Sequence, residues 1–163
     1  HAQLIRKDQL DDVKKYGIIP SFFVAHVFHW GDTHIKNLGM ERASGISPAA
    51  SALKKGILFT FHQDAPVIEP DMFETVWCAA ARKTEKGVLL GEDERISAAE
   101  ALKAVTVNAA YQYFEENSKG SLREGKRENL IIIDKDPLKT DLDDIRNIKV
   151  LKTIKDGKTV FEA

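Results

Sequence analysis

His62 and Asp64 stand two positions apart at the end of the apolar run Ile57-Leu58-Phe59-Thr60-Phe61. An imidazole and a carboxylate can each hold a metal ion or move a proton near neutral pH. The run before them is apolar on both faces, as in a strand buried within a parallel sheet or barrel, and Pro66 stops it. With a period of two, His62 and Asp64 point to the same side. In α/β barrels the carboxyl ends of the strands are where active sites lie. The competing reading is structural: Asp64 caps the following turn and His62 is an ordinary strand-end residue.

A second apolar run, Ile18 to Ala25 with Pro20 near its start, also ends in polar groups: His26, His29, Trp30, Asp32 and His34. Two successive strands that finish in histidine and aspartate are more informative than either alone. The elements between and around them are legible. Lys7 to Lys15 reads as a short helix with Leu10 and Val13 as its apolar stripe, ended by Tyr16-Gly17. Ser47 is a natural N-cap, Pro48 suits the first helical position, and Gly56 suits a left-handed C-terminus. Helix, strand, helix, strand is the α/β alternation of parallel sheets and barrels.

A helix from Met72 to Arg82 follows, with Trp77 and Cys78 read as core. Ser97 and Glu100 form a capping box that opens the longest predicted helix, to about Glu115. From Gly120 the pattern changes to strands without helices: Leu130–Ile133, then Ile148–Ile154, the turn Asp156-Gly157, and Lys158–Phe161. This predicts a small antiparallel sheet added to the α/β unit.

Composition narrows the partners. Of 163 residues, 24 are basic and 25 acidic, so the net charge of -1 makes no electrostatic case for nucleic acid or an anionic membrane. No apolar stretch has the length of a membrane span. The single cysteine, Cys78, fits a reducing compartment, and a cytoplasmic location is expected.

The order His1-Ala2-Gln3, then His26 after an apolar strand, then His62-Gln63-Asp64-Ala65-Pro66-Val67 resembles the amidohydrolase superfamily. Within it, the YtcJ-like, amidohydrolase-3 branch that includes N-substituted formamide deformylase-like enzymes is most similar. Ala99-Glu100-Ala101-Leu102-Lys103-Ala104-Val105-Thr106-Val107-Asn108 and the tail from Gly120-Ser121-Leu122 to Asp136-Pro137 extend the likeness along nearly the whole chain. The resemblance implies the last strands and helices of a TIM barrel over residues 1–119. Residues 120–163 would be strands of the small β-sandwich that flanks it.

It also implies one or two divalent metals, usually zinc, which lowers the pKa of a bound water and polarises a carbonyl. On this resemblance His1 and Asp64 are metal ligands, and Asp64 is also the catalytic proton shuttle. His26, His29, Trp30 and His62 contact substrate, with His26 or His62 steadying an oxyanion and Asp32 further along the pocket wall. His34 is expected to be a solvated loop residue.

The family's His-x-His, fourth-strand ligand and fifth-strand histidine are missing. The expectation is therefore the C-terminal part of a longer hydrolase of amide or formamide C–N bonds. By itself it should be inactive and hold no metal, and its open strand edges should make it a homo-oligomer. The alternatives are a short binding or regulatory module of the exoenzyme-regulation type on the same fold, and an α/β domain in which His62 and Asp64 are structural.

Overall fold

A computed structural model describes residues 1–163. Its organising feature is a pair of parallel strands, β1 (Ser21–Phe22) and β2 (Thr60–Phe61), with Ser21 opposite Thr60 and Phe22 opposite Phe61. The ladder is short because the chain turns into a helix at once: the His26 and Val27 amides bond back to the Phe23 and Val24 carbonyls. Of the predicted strand Ile18–Ala25, only its centre pairs. Phe22, Phe23, Val24, Phe59 and Phe61 are nevertheless all buried, as a strand sealed on both faces requires.

Seven helices surround this pair. They are α1 (Leu10–Lys15), α2 (His26–His29), α3 (Gly31–Ser44), α4 (Ala49–Lys54), α5 (Met72–Ala81), α6 (Ala98–Val105) and α7 (Val107–Gln112). Leu10 and Val13 are the buried stripe of α1, as their spacing predicts. Asp71 caps α5 by accepting from the Phe73 and Glu74 amides, and Ser97 caps α6 by accepting from Glu100. Trp77 and Cys78 are core residues of α5. The long helix expected after Ser97 is interrupted at Thr106, whose φ of -126° and ψ of -90° separate α6 from α7.

Two further elements depart from the sequence pattern. Helix α3 has no sequence signature, because Gly39 breaks it at φ +75° and its only buried residues are Gly31 and Ala43. Ser47 does not cap α4. Its backbone is left-handed (φ +47°), its amide bonds to the Gln3 carbonyl at 2.8 Å, and its hydroxyl is buried without a partner. The capping role falls to buried Glu94, which accepts from the Ser51 amide at 2.9 Å and also takes the Lys7 ammonium at 2.8 Å. Burial pushes the Glu94 carboxyl up, but these bonds from Lys7 and Ser51 outweigh it and hold the group below its usual value.

The antiparallel sheet is present: β3 (Leu130–Ile133), β4 (Val150–Lys155) and β5 (Lys158–Glu162), with β4 in the middle. Asp156 and Gly157 both have positive φ, the turn that matches hairpin twist. Between this sheet and α5–α7 lies an open, mainly apolar cleft of about 1470 Å³, with Phe73, Leu102, Val150 and Phe161 among its walls. No histidine lines it.

Gly91 shows how tightly the loop beyond α5 is packed. At φ +73°, a Cβ there would lie 2.0 Å from the Ser44 carbonyl oxygen and 2.8 Å from Arg82 Nη2. Gly91→Ala is expected to destabilise the fold by about 2–4 kcal/mol, through overpacking and left-handed strain. Urea unfolding checks this; an unchanged midpoint would mean the loop is free to move away.

Candidate active site at the ends of the parallel strands

The carboxyl end of β2 delivers its side chains in alternation. Gln63 turns inward and is buried, donating to the Asp71 carbonyl and, at 2.8 Å, to Thr75 Oγ1. His62 turns the other way, where its Nδ1 meets Ser21 Oγ on β1 at 2.7 Å and its Nε2 meets His1 Nδ1 at 2.6 Å. Asp64 follows in a left-handed conformation (φ +52°) that brings its carboxylate to 3.5 Å from His1 Nε2. His1, His62 and Asp64 thus form one chain of contacts, which Asp64 reaches through a turn and not through strand alternation.

From β1 the chain enters α2 and α3, which place His26, Trp30 and His34 at intervals of four residues. The Trp30 amide bonds to the His26 carbonyl at 3.1 Å and the His34 amide to the Trp30 carbonyl at 2.8 Å, so the helical path is continuous there. The His26 ring packs 4.5 Å from Trp30 and 4.5 Å from Phe23, centroid to centroid, and 5.8 Å from His1. His34 is not a solvated loop residue. It sits half-buried on α3, with Nε2 2.8 Å from Gln3 Nε2 and 3.3 Å from His26 Nδ1. The spacing of 26, 30 and 34 was the signal available in the sequence; Gln3 and Ser21 carried none.

His29 and Asp32 have other partners. His29 Nε2 pairs with Glu74 at 2.7 Å, tying α2 to α5. Asp32 accepts from Thr84 Oγ1 at 3.1 Å and from the Lys86 amide at 3.2 Å, so it anchors the loop after α5 and does not line a pocket wall with Trp30.

Electrostatically the cluster disfavours protonation. His26 is lowered to about 4, first by burial, then by its neighbours His34 and His62, with Asp64 opposing. Burial also lowers His34 and His62, with Asp64 opposing it at His62. For His26, whose ordinary value is 6.5, the unfolded chain takes up its proton first as the pH falls from 6.5 towards 4. Stability should therefore decline across that window. Thermal melts of wild type and His26→Asn over this range test it, and the variant's decline should be shallower. Parallel curves would remove His26 from the effect.

His1 and Asp64 are the donors this chain could offer a metal ion. No three ligand-type side chains converge on one point, whereas zinc sites use at least three protein ligands. The residues present do not make a complete metal site by themselves.

Parallel strands followed by histidine and aspartate, with helices outside, are an α/β arrangement of the kind found at the carboxyl ends of barrel strands. The chain belongs to the amidohydrolase family, whose family model matches residues 1–161. It is 32% identical over 136 residues to the N-substituted formamide deformylase of Arthrobacter pascens, covering 83% of this chain and 25% of that protein. Among solved structures, it resembles an uncharacterized metal-dependent hydrolase of Pyrococcus horikoshii with a TM-score of 0.75 at 26% identity, over 88% of this chain and 29% of that one. A second uncharacterized metal-dependent hydrolase, of Pyrococcus furiosus, matches with a TM-score of 0.70 at 30% identity, over 85% of this chain and 28% of that one. The chain therefore spans roughly a quarter of the length of the relatives it matches. The mixed α/β class with a small antiparallel sheet, expected from the sequence, is the one observed.

Proposed function

We propose that this chain is the C-terminal part of a metal-dependent hydrolase that cleaves non-peptide carbon–nitrogen bonds, with an amide or formamide as substrate. The observation that carries the reading is the run of pairwise contacts by which His1 touches His62, Asp64 and His26 beyond the carboxyl ends of β1 and β2. Its agreement with the family and with the activity named for the Arthrobacter relative supports it. In this reading residues 1–119 belong to the barrel and residues 120–163 to a composite β-sandwich. The barrel's remaining strands supply the other ligands of a divalent ion, for which an imidazole and a carboxylate suit zinc.

Asp64 has the central task. Half exposed and beside His1, its carboxylate takes the proton of the attacking water and passes it to the leaving nitrogen as the C–N bond breaks. His62 has both ring nitrogens occupied, by His1 and Ser21; it serves by holding His1 in orientation and covers the substrate only with its ring face. Trp30 and His29 form the wall beside His26.

The isolated chain is inactive in this reading and associates through its open strand edges. In this reading the setting is cytoplasmic, which the buried thiol of Cys78 suits.

The test is amine release from N-substituted formamides by the full polypeptide that carries this segment, stripped of metal and then supplied with zinc. Zinc-dependent turnover there, and none by residues 1–163 alone, is expected. Turnover by the segment alone, or none by the full polypeptide across amides and formamides, would overturn the proposal.

A further inference from the structure

We propose that a hydrogen-bond relay from Gln3 through His34 fixes His26 as its Nδ1–H tautomer. The open Nε2 of His26 then accepts a hydrogen bond from substrate, which selects amides that keep an N–H. This deepens the hydrolase reading above and rests on it.

Gln3 sets the direction of the relay. Its amide nitrogen, which can only donate, lies 2.8 Å from His34 Nε2. His34 Nε2 must therefore accept, and the proton of that neutral ring sits on Nδ1. The same Nε2 faces His26 Nδ1 at 3.3 Å. Two bare nitrogens at that distance would repel, so the proton sits on His26 Nδ1, which shares the one His34 Nε2 lone pair with Gln3 as the longer and weaker of the two bonds. What remains is His26 Nε2 with a lone pair. It has no protein partner and is not among the buried unpaired atoms, so it is open to solvent. Phe23 and Trp30, both 4.5 Å away, hold the ring in place.

A bare Nε2 cannot steady an oxyanion, which needs a donor. It can accept from the N–H of a secondary amide, and an N,N-disubstituted amide has no such hydrogen to give. Gln3 and His34 are positioning residues in this scheme, since they act through His26.

Histidine ¹⁵N spectra of the protein read the tautomer directly, with His26→Asn assigning the signal. The Nδ1–H form is expected in wild type. In Gln3→Glu, the carboxylate accepts from His34 Nε2–H, so His26 should switch to the Nε2–H form; His34→Ala should leave it mixed. In the full polypeptide, kcat/KM for an N-monosubstituted formamide relative to its N-methylated analogue should fall about tenfold in Gln3→Glu, the scale of one lost hydrogen bond. An Nε2–H His26 in wild type, or a tautomer unmoved by Gln3→Glu, would overturn the relay. The expected tautomers with no turnover of either amide would overturn the substrate assignment and the hydrolase reading together, leaving the relay standing.

Discussion

Asp64→Asn in the full polypeptide should lower kcat by about 10²–10⁴-fold, the range for loss of a positioned general base, while leaving the fold intact. Asparagine keeps the size of the side chain, tolerates the left-handed backbone found at this position (φ +52°), and removes only the charge and the basicity. The stability term is small because the His1–Asp64 contact is long, at 3.5 Å, with side chains 40% and 50% exposed. Exposed pairs of this kind contribute about 0–1 kcal/mol. Steady-state kinetics and a urea melt on the same sample separate the two effects. Loss of less than tenfold with an unchanged melt would mean that Asp64 neither moves the proton nor serves as a ligand.

Arg82→Met should produce the largest loss of stability in the chain, about 3–5 kcal/mol, the scale for removing one partner of a buried charged network. Arg82 is completely buried, and its guanidinium donates to the carbonyls of Leu90, Ser47, Ile46 and Ser44 at 2.9 to 3.3 Å. These carbonyls belong to the end of α3 and the turn after it and to the strand-like segment before Gly91, two pieces that also pack through Ala43, Ile46 and Leu90. Burial lowers Arg82 to about 10, so it is still a cation at neutral pH. Methionine fills the volume but supplies no donor. The Ser47 carbonyl keeps the Ala49 amide at 2.8 Å, while the other three lose the guanidinium. Arg82→Lys keeps the charge without the planar fork and should recover only part of the loss. Urea midpoints of the two variants give the comparison, and a methionine variant as stable as wild type would refute the clamp.

Much of the scaffold is legible in local sequence signals. The burial of Leu10 and Val13, the cap of α6 at Ser97, the left-handed Gly56 and the Asp156-Gly157 hairpin each arise from interactions within a few residues. Such signals act the same way wherever the segment sits. Helix α3 escapes because Gly39 divides it and little of it reaches the core, so its sequence has no apolar stripe. Ser47 misleads for a related reason: Gln3 and Glu94, both distant along the chain, claim the groups that a local cap would have used.

The sequence by itself determined the α/β alternation, the two apolar runs that end in His26 and in His62 and Asp64, and the small terminal sheet. Only the tertiary structure decided which of those side chains meet. His1 reaches His62 across 61 positions, Ser21 reaches it across 41, and Gln3 reaches His34 across 31. Those meetings depend on the register of β1 against β2 and on the helical path from His26 to His34. Both are set by packing against a shared core, which no short stretch of sequence contains.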